Sequence, residues 1–427
     1  MRHATPPLVV KGAAGTRPLV LAAVVLMVAA CGTAPSLATF GPTPESTPTV
    51  TPGSTSTPSA TVGTWSGLRW EAPALMAPYE TVSDVVAYAG AYVAVGQLQI
   101  TQGNEAAAWV STDWRTWTRT FLDAPPAGNS ALWYVVPAGS GLVAVGSSGV
   151  QHCVPPPGEG EVCDPLPIGL WTSAEGRTWR QTPTPATLTG ATIASVAAGP
   201  NGLVLVGDTG WDKPGVWTSP DGVAWRRETL PSAVFAKAHF RGITAARGGW
   251  VLTGFVGGSK PICCVSGPSD TTPAAWFSPD GVRWQAARVD GANQAIGDGI
   301  GRLFVGRGGL VAWGVGSGSA GWTSPDGRRW NPRPTSDDAP VIPWASDGQR
   351  IIGESFAGHN DLALWVSTDG TAWEPLTATG AVDQMPGWSG PGVSADAAFV
   401  FPTGVGFIGQ NGTDRDPLWF AAAAGGP

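Results

Sequence analysis

Residues 217–225 read WTSPDGVAW, and this stretch decides the fold. Its Pro-Asp-Gly centre predicts a tight turn, because Pro fixes φ at the first turn position and Gly takes the left-handed conformation that follows. The flanking Trp-Thr-Ser and Val-Ala-Trp segments then predict the two strands of a β-hairpin. With a three-residue loop, Trp217 and Trp225 would lie directly opposite each other, where an aromatic pair contributes roughly 0.5–1.5 kcal/mol beyond its buried area.

The motif recurs along the chain, and a second Trp always follows the first by eight residues. Successive copies are 43 to 62 residues apart, and repeats of about 45 residues are typical of propeller blades. An apolar hairpin precedes each copy and predicts the two inner strands of a blade. The complete motifs begin at Trp109, Trp171, Trp217, Trp276, Trp322 and Trp365, and the apolar hairpins end at Gly96, Gly146, Gly207, Gly254, Gly314, Gly353 and Gly409.

The chain ends supply the motif that the seventh apolar hairpin lacks. Trp419 matches the first strand of the motif, and Trp70 in GLRWE matches the last. One blade would then be closed by strands from both termini, which removes the free edges of the ring. The sequence therefore predicts an all-β, seven-bladed β-propeller over residues 65–427. A pair of β-sandwiches or a solenoid would not explain the divided motif.

The Ser-x-Asp-Gly-x-x-Trp turns resemble the Asp-box, or BNR, repeats of sialidase-like propellers, with one residue fewer between Asp and Gly. This resemblance implies that the boxes are structural turns on the face opposite an active site. One copy has Glu in place of Asp, and another has Trp114 in place of Gly. The acidic positions of the boxes are Asp113, Glu175, Asp221, Asp280, Asp326 and Asp369.

The same resemblance implies what a sialidase would need: three Arg for the substrate carboxylate, an early Arg-Ile-Pro and a late Tyr nucleophile with its Glu. The sequence has no Arg-Ile-Pro, and its four tyrosines all lie in the first third of the chain. We therefore predict no catalytic residues. A degenerate glycoside hydrolase that uses two loop carboxylates stays open as an alternative, with Asp290, Asp298, Asp337, Asp338 and Asp383 as the candidates.

The N-terminus predicts export. Residues 1–17 carry three cations and no acid, and the next thirteen residues are apolar, as in a signal peptide. The apolar run ends in Val-Ala-Ala-Cys, which resembles a bacterial lipobox and implies a signal peptide over residues 1–30 and lipidation of Cys31. An ordinary signal peptide cleaved nearby is the alternative. Residues 31–64, rich in Thr, Pro and Ser, predict a disordered tether that holds the propeller outside the cytoplasm, anchored to a membrane.

The charge and the composition limit the classes of partner that we expect. The net charge is −7, with twenty Arg, four Lys and no basic block, so nucleic acid is not an expected partner. The histidines and cysteines lack the usual spacing of metal ligands. We predict no cofactor and no metal, and a monomer.

Two long loops predict the position of a binding site. They span residues 147–170 and 255–275, and variable loops on a rigid scaffold usually carry function. The first contains Cys153 and Cys163. Because disulfides form outside the cytosol, we predict a disulfide between them. The state of the adjacent Cys263 and Cys264 stays open. Four tryptophans in or beside the loops of this face are candidate ligand contacts, because Trp is favoured at binding hot spots: Trp133, Trp211, Trp344 and Trp388.

Together these features favour a lipid-anchored, non-enzymatic propeller that binds a glycan, a peptide or a protein, or serves as a scaffold. The alternatives are the degenerate glycoside hydrolase and an assembly factor for an envelope complex.

Overall fold

The structure, a computed structural model, describes most of the chain from Trp65 onward. The predicted signal peptide, Cys31 and the predicted tether lie outside the described residues. Within the described part, no helix is long and apolar enough to cross a membrane. The described ranges are 65–101, 103–123, 129–149, 153–154, 162–163, 166–210, 213–258, 271–291, 299–314, 321–333, 341–356, 362–380, 394–410 and 416–424.

The strands form seven mainly antiparallel sheets, one for each blade, which we letter A to G in chain order. The first two strands, β1 (Gly67–Trp70) and β2 (Ala74–Leu75), belong to the last blade, G. Blade A contains β3 (Glu80–Tyr88), β4 (Ala91–Ile100), β5 (Gly103–Ser111) and β6 (Thr118–Arg119). Blade B contains β7 (Phe121–Asp123), β8 (Asn129–Ala138), β9 (Gly141–Gly149), β12 (Ile168–Ser173) and β13 (Thr178–Thr182), with a small hairpin of β10 (Cys153–Val154) and β11 (Val162–Cys163) between β9 and β12.

The middle of the chain repeats the same arrangement. Blade C follows a 3-10 turn (Ala186–Leu188) and contains β14 (Thr192–Gly199), β15 (Gly202–Asp208), β16 (Pro214–Ser219) and β17 (Arg226–Arg227). Blade D follows α1 (Ser232–Phe235) and contains β18 (Ala238–Ala246), β19 (Gly249–Gly257), β20 (Thr271–Ser278) and β21 (Gln285–Ala286).

The last three blades complete the ring. Blade E contains β22 (Arg288–Val289), β23 (Ile300–Gly306), β24 (Gly309–Gly314), β25 (Gly321–Ser324) and β26 (Arg329–Pro332). Blade F contains β27 (Ile342–Ser346), β28 (Ile351–Phe356), β29 (Leu362–Ser367) and β30 (Glu374–Pro375). Blade G contains β31 (Thr377–Gly380), β32 (Ser394–Phe401), β33 (Gly404–Gln410) and β34 (Pro417–Ala424), together with β1 and β2.

The seven-bladed propeller predicted from the repeats is confirmed, and so is its closure. In blade G, β1 lies between β34, with which it is antiparallel, and β31, with which it is parallel. Trp70 therefore shares a sheet with Trp419. The closure extends into both neighbouring blades, because Trp65 stacks 4.2 Å from the guanidinium of Arg350 in blade F and Glu71 pairs with Arg115 of blade A at 2.8 Å.

The register of the Trp hairpin differs from the prediction. Trp217 pairs with Arg227 and Thr218 with Arg226, so seven residues, 219–225, connect the innermost pair rather than three. The reason is that side chains close the turn. Ser219 Oγ accepts the Gly222 N–H at 2.8 Å, and Asp221 Oδ1 accepts the N–H groups of the two residues after Gly222, each at 2.9 Å. Gly222 itself has φ +79°, as expected.

The two tryptophans of a motif nevertheless lie on one face of the sheet. Trp217 and Trp225 both pack into the core between blades B and C, where they are at most 6% exposed. Each indole N–H has a separate acceptor: Trp225 donates to the carbonyl of Gly222 at 2.9 Å, and Trp217 donates to Thr187 in the segment that enters blade C at 2.7 Å. The pair thus ties the turn and the incoming chain to the same core.

The Gly of each turn packs against a Val of the preceding blade. A methyl group built on Gly222 would lie 2.1 Å from Cγ2 of Val143, so no larger residue fits without a shift. Within the described chain the contact recurs at Gly176 with Val93, Gly281 with Val204, Gly327 with Val251 and Gly370 with Val311.

Candidate functional site

The chain path divides the propeller into two faces. We call the face where each innermost strand begins the entry face, and the opposite face, which carries the Ser-x-Asp-Gly turns, the turn face. On the turn face the box carboxylates bind backbone N–H groups, as Asp221, Asp280 and Asp369 do. Hydrogen bonds from these backbone N–H groups hold the pKa of Asp221 below its usual range. Glu175 makes no such bond among the described residues.

A β-bulge interrupts each innermost strand near the entry face. The register with the second strand skips one residue in every blade, so a ring of bulges surrounds the central channel. A bulge leaves backbone groups unpaired and changes the direction of the neighbouring side chains. The skipped residues are Ser83, Trp133, Ala194, Arg241, Gly301, Trp344 and Asp396.

In blades A to D, side chains next to the bulges join neighbouring blades. Asp84 Oδ2 accepts the N–H of Val135 in blade B at 2.8 Å, while its Oδ1 accepts the N–H of Val85 at 2.9 Å. Tyr134 in turn donates its hydroxyl to the carbonyl of Ala194 in blade C at 2.7 Å.

Burial shifts the acidity of both groups. It raises the pKa of Asp84 to about 7, against the lowering effect of the two N–H donors. Burial and the nearby Asp84 charge raise the pKa of Tyr134 to about 12. Both side chains are occupied by contacts that hold the ring together.

Blades D and E each carry an arginine at their adjoining bulges on this ring. Arg241 is the bulge residue of blade D, and Arg302 follows the bulge residue Gly301 of blade E. The two bulges adjoin, since a methyl group on Gly242 would lie 3.9 Å from the carbonyl oxygen of Gly301. Neither arginine forms an ion pair with another described residue.

An aromatic ring holds Arg241 in place. Its guanidinium lies 5.2 Å from the centre of the Phe255 ring, against which His239 stacks at 4.7 Å. The Nε of Arg241 is buried and has no acceptor among the described residues. Arg302 is exposed. A buried donor without an acceptor is costly, so this sector is suited to a ligand that brings a carboxylate.

The entry face also carries a buried carboxyl group on blade F. Burial raises the pKa of Glu354 to about 7, and the positive charge of Arg302 opposes this shift. The next residue, Ser355, accepts the indole N–H of Trp365 at 2.7 Å. Among the described residues, no group of three or more His, Cys, Asp or Glu could hold a metal ion.

Only one of the five carboxylates proposed for glycoside hydrolysis can be located. Asp290 pairs with Arg288 at 2.6 Å and with Arg329 at 3.0 Å, beside the outermost strands of blade E. These ion pairs lower its pKa, with the Arg288 hydrogen bond as the largest cause. Asp298, Asp337, Asp338 and Asp383 lie outside the described residues.

Two of the four candidate tryptophans lie in strands rather than in loops. Trp133 and Trp344 are bulge residues of the innermost strands β8 and β27. Trp344 is only 9% exposed and packs 5.1 Å from Phe407, and Trp133 is half-buried against the core between blades B and C. Their apolar surface is largely used in packing. Trp211 and Trp388 lie outside the described residues.

The backbone brings the two cysteines of the first long loop together. In the small hairpin of β10 and β11, Cys153 is the direct cross-strand partner of Cys163. Cys263 and Cys264 lie outside the described residues.

Three charged residues of this ring were not among the predicted site residues: Asp84, Arg241 and Arg302. Each is a charged residue inside an otherwise apolar strand, in VSDVV, HFRGI and IGRLF. That interruption of the strand pattern is the signal that could have found them.

Comparisons with known proteins agree with the fold. No protein-family model and no curated protein matches the chain. A solved structure described as YCF48 bound to D1 peptide is similar, with 16% identity and a TM-score of 0.51 over 83% of this chain and 97% of that chain. At that identity, the likeness concerns the fold alone.

Other solved structures are more distant. The β-propeller domain of the Trilobed protease from Pyrococcus furiosus has 9% identity and a TM-score of 0.44, over 83% of this chain and 96% of that chain. A GH43 endo-arabinanase from Bacillus licheniformis has 12% identity and a TM-score of 0.29, over 67% and 91%. At TM-scores this low, we infer nothing about the chain from these two structures. By fold, the chain is a seven-bladed β-propeller.

Proposed function

We propose that this protein is a non-catalytic binding propeller that takes an extended peptide segment of a partner protein on its entry face. The observation that carries the proposal is that Arg241 and Arg302 lie at the adjoining bulges of blades D and E and form no ion pair with a described residue. Guanidinium groups bind carboxylates through paired, charge-assisted hydrogen bonds. The orphaned Nε of Arg241 gives such a ligand a buried donor to satisfy.

Two further observations favour a peptide over a glycan. The segment that leads into blade A, together with the end of β4, exposes large apolar side chains at Leu75, Tyr79 and Ile100, which suit the side chains of a peptide. The solved structure of similar fold is itself a peptide complex, since YCF48 is bound to D1 peptide.

The N-terminal features complete the proposal. A lipid on Cys31 and the tether over residues 31–64 would hold the propeller on the outer side of a membrane, close to envelope proteins. If Cys31 is lipidated, Cys31→Ala should release the protein from the membrane fraction. An unchanged mass and unchanged fractionation of this variant would contradict the anchor.

The test of binding uses phage that display random 12-residue peptides, panned on the purified protein. Arg241→Gln and Arg302→Gln should each weaken the selected peptides about 10- to 100-fold, because a hydrogen bond to a charged group contributes about 1.5–3 kcal/mol. Arg307→Gln, in the β23–β24 turn on the turn face, is the matched control and should leave affinity unchanged. If no peptide is enriched, or if both entry-face variants bind normally, the proposal is wrong.

Glycoside hydrolysis is a second candidate, favoured by Glu354. A general acid needs a raised pKa, and burial raises that of Glu354 to about 7. The second carboxylate would have to lie roughly 5–10 Å away. Release of nitrophenol from a panel of aryl glycosides, abolished by Glu354→Gln, would support this candidate. No turnover by the wild-type protein would remove it.

A further inference from the structure

Two exposed side chains on the entry face stand on left-handed backbone. Tyr79 has φ +67° and Lys237 has φ +53°. Each immediately precedes the innermost strand of its blade, blade A for Tyr79 and blade D for Lys237, and stands four residues before the bulge. Their carbonyls accept equivalent hydrogen bonds from the end of the second strand, from Gln99 N at 2.9 Å and from Gly257 N at 3.0 Å.

Blade C has the same left-handed backbone at this position, and there the residue is glycine. The equivalent residue of blade C is Gly190, with φ +70° and open space where a Cβ would stand. A residue with a Cβ costs roughly 1–2 kcal/mol in this conformation, and such strain is typical of functional positions.

The surroundings of the two residues differ in chemistry. Tyr79 is 52% exposed and belongs to the apolar group with Leu75 and Ile100. Lys237 is exposed and shares blade D with Arg241, and Arg302 belongs to the neighbouring blade E. Blades A and D are not neighbours in the ring, so the apolar and the cationic groups are separated across the entry face.

We propose that Tyr79 and Lys237 are contact residues for the partner, and that the bound segment lies across the entry face in one orientation. Its acidic residues face Lys237 and the two arginines, and a bulky apolar residue faces Tyr79. This inference rests on the proposed function and adds the chemistry of the peptide to it. The strain at both positions is then retained because the side chains bind.

The test replaces each strained residue by glycine. Tyr79→Gly and Lys237→Gly should leave the melting temperature unchanged or raise it, because glycine tolerates the left-handed backbone. Both should weaken the phage-selected 12-residue peptides about tenfold or more. Ala89→Gly is the matched control: Ala89 has φ +50° but lies in the β3–β4 turn on the turn face, so it should change neither binding nor, by more than a small rise, stability.

A charge reversal tests the orientation. Panning on the wild-type protein should enrich peptides with acidic residues at a fixed distance from a bulky apolar residue. Panning on Lys237→Glu should replace the acidic residue that faces position 237 by a basic one, and keep both the acidic residues that face the two arginines and the apolar residue.

The outcomes separate the two proposals. If peptides bind and depend on Arg241 and Arg302 but not on Tyr79 or Lys237, only the present inference is wrong. A marked fall in the melting temperature of either glycine variant would also overturn it, because the side chain would then have a structural role. If no peptide is enriched at all, both proposals are wrong.

Discussion

Trp114 fills the space that Gly406 leaves open where blade A meets blade G. A methyl group on Gly406 would lie 2.3 Å from the Trp114 ring, which is 1% exposed and has φ +64°. In the interfaces from blades A and B to blades E and F the sizes are reversed, since Gly from the turn meets Val from the second strand. The interface that closes the ring thus has the same contact with the large and small residues exchanged.

The double change of Trp114→Gly with Gly406→Val should recover part of the stability that each single change removes. Gly406→Val alone should lower the free energy of unfolding by about 1–3 kcal/mol through overpacking. Trp114→Gly alone should lower it by about 3–5 kcal/mol through a cavity, less what glycine gains at positive φ. The double variant recreates the contact of Gly222 with Val143 and should be more stable than the sum of the single effects predicts, by at least about 1 kcal/mol.

Urea unfolding of the four proteins in this cycle measures the coupling. Strictly additive free energies would contradict the exchange. A coupling of the opposite sign would do the same.

The pair of Trp114 and Gly406 also shows which features of the fold the sequence can predict. Trp114 stands out as a departure from the repeat, but its partner lies nearly 300 residues away and is recognised only once the ring is closed. The blade number and the closure follow from counting motifs, because each motif is a local hairpin.

The register and the site do not follow from local patterns. Ser219 and Asp221 lengthen the turn with side-chain hydrogen bonds, which turn propensities do not reveal. Arg241 reaches the ring through a bulge, which a two-residue alternation cannot show. Trp344, predicted in or beside a loop, is a bulge residue packed on Phe407, and the sequence does not distinguish such a residue from an exposed Trp.

The turn of blade B, which has Glu175 in place of Asp, can be made more stable. Ser173 Oγ accepts the Gly176 N–H at 2.8 Å, but Glu175 accepts no turn N–H among the described residues. Its extra methylene moves the carboxylate away from the position that Asp221 takes. Glu175→Asp should add two hydrogen bonds and raise the free energy of unfolding by about 0.5–1.5 kcal/mol. The reverse change, Asp221→Glu, should lower it by a similar amount in the same urea titration. Equal stabilities of all three proteins would show that the carboxylates do not hold these turns.

The hairpin of β10 and β11 should be cross-linked. Directly opposed residues of antiparallel strands have Cα atoms about 4.5–5.5 Å apart, within the range that disulfides span. Cys153 and Cys163 are such a pair. Non-reducing digestion and mass spectrometry of protein purified under oxidising conditions should therefore find the two in one linked peptide. Cys153→Ser should lower the free energy of unfolding by about 2–3 kcal/mol in oxidising buffer and by nothing under reducing conditions. Two separate, alkylated peptides from the wild-type protein would contradict the bridge.

Asp84 should make the stability fall as the pH rises from about 4 to 7. Burial raises its pKa from 3.8 to about 7, so over this interval the folded protein keeps a proton that the unfolded chain loses. Stability then decreases by up to about 1.4 kcal/mol per pH unit for this one group, and the contribution is gone above the folded pKa. Asp84→Asn removes the titration but keeps one carbonyl acceptor for Val135, so its stability should vary less over the same interval.

The difference between the two proteins isolates Asp84 from every other titrating group. Urea unfolding at pH 4.5, 5.5, 6.5 and 7.5 measures both free energies of unfolding. As the pH rises, the wild-type value should fall steadily relative to that of Asp84→Asn. Glu354→Gln on blade F is a parallel test, because burial raises the pKa of Glu354 to about 7 as well. Its effect should add to that of Asp84→Asn, since blade G separates the two blades. A constant difference across the series would mean that Asp84 is ionised in the fold throughout, so its two N–H donors, from Val85 and Val135, would outweigh its burial.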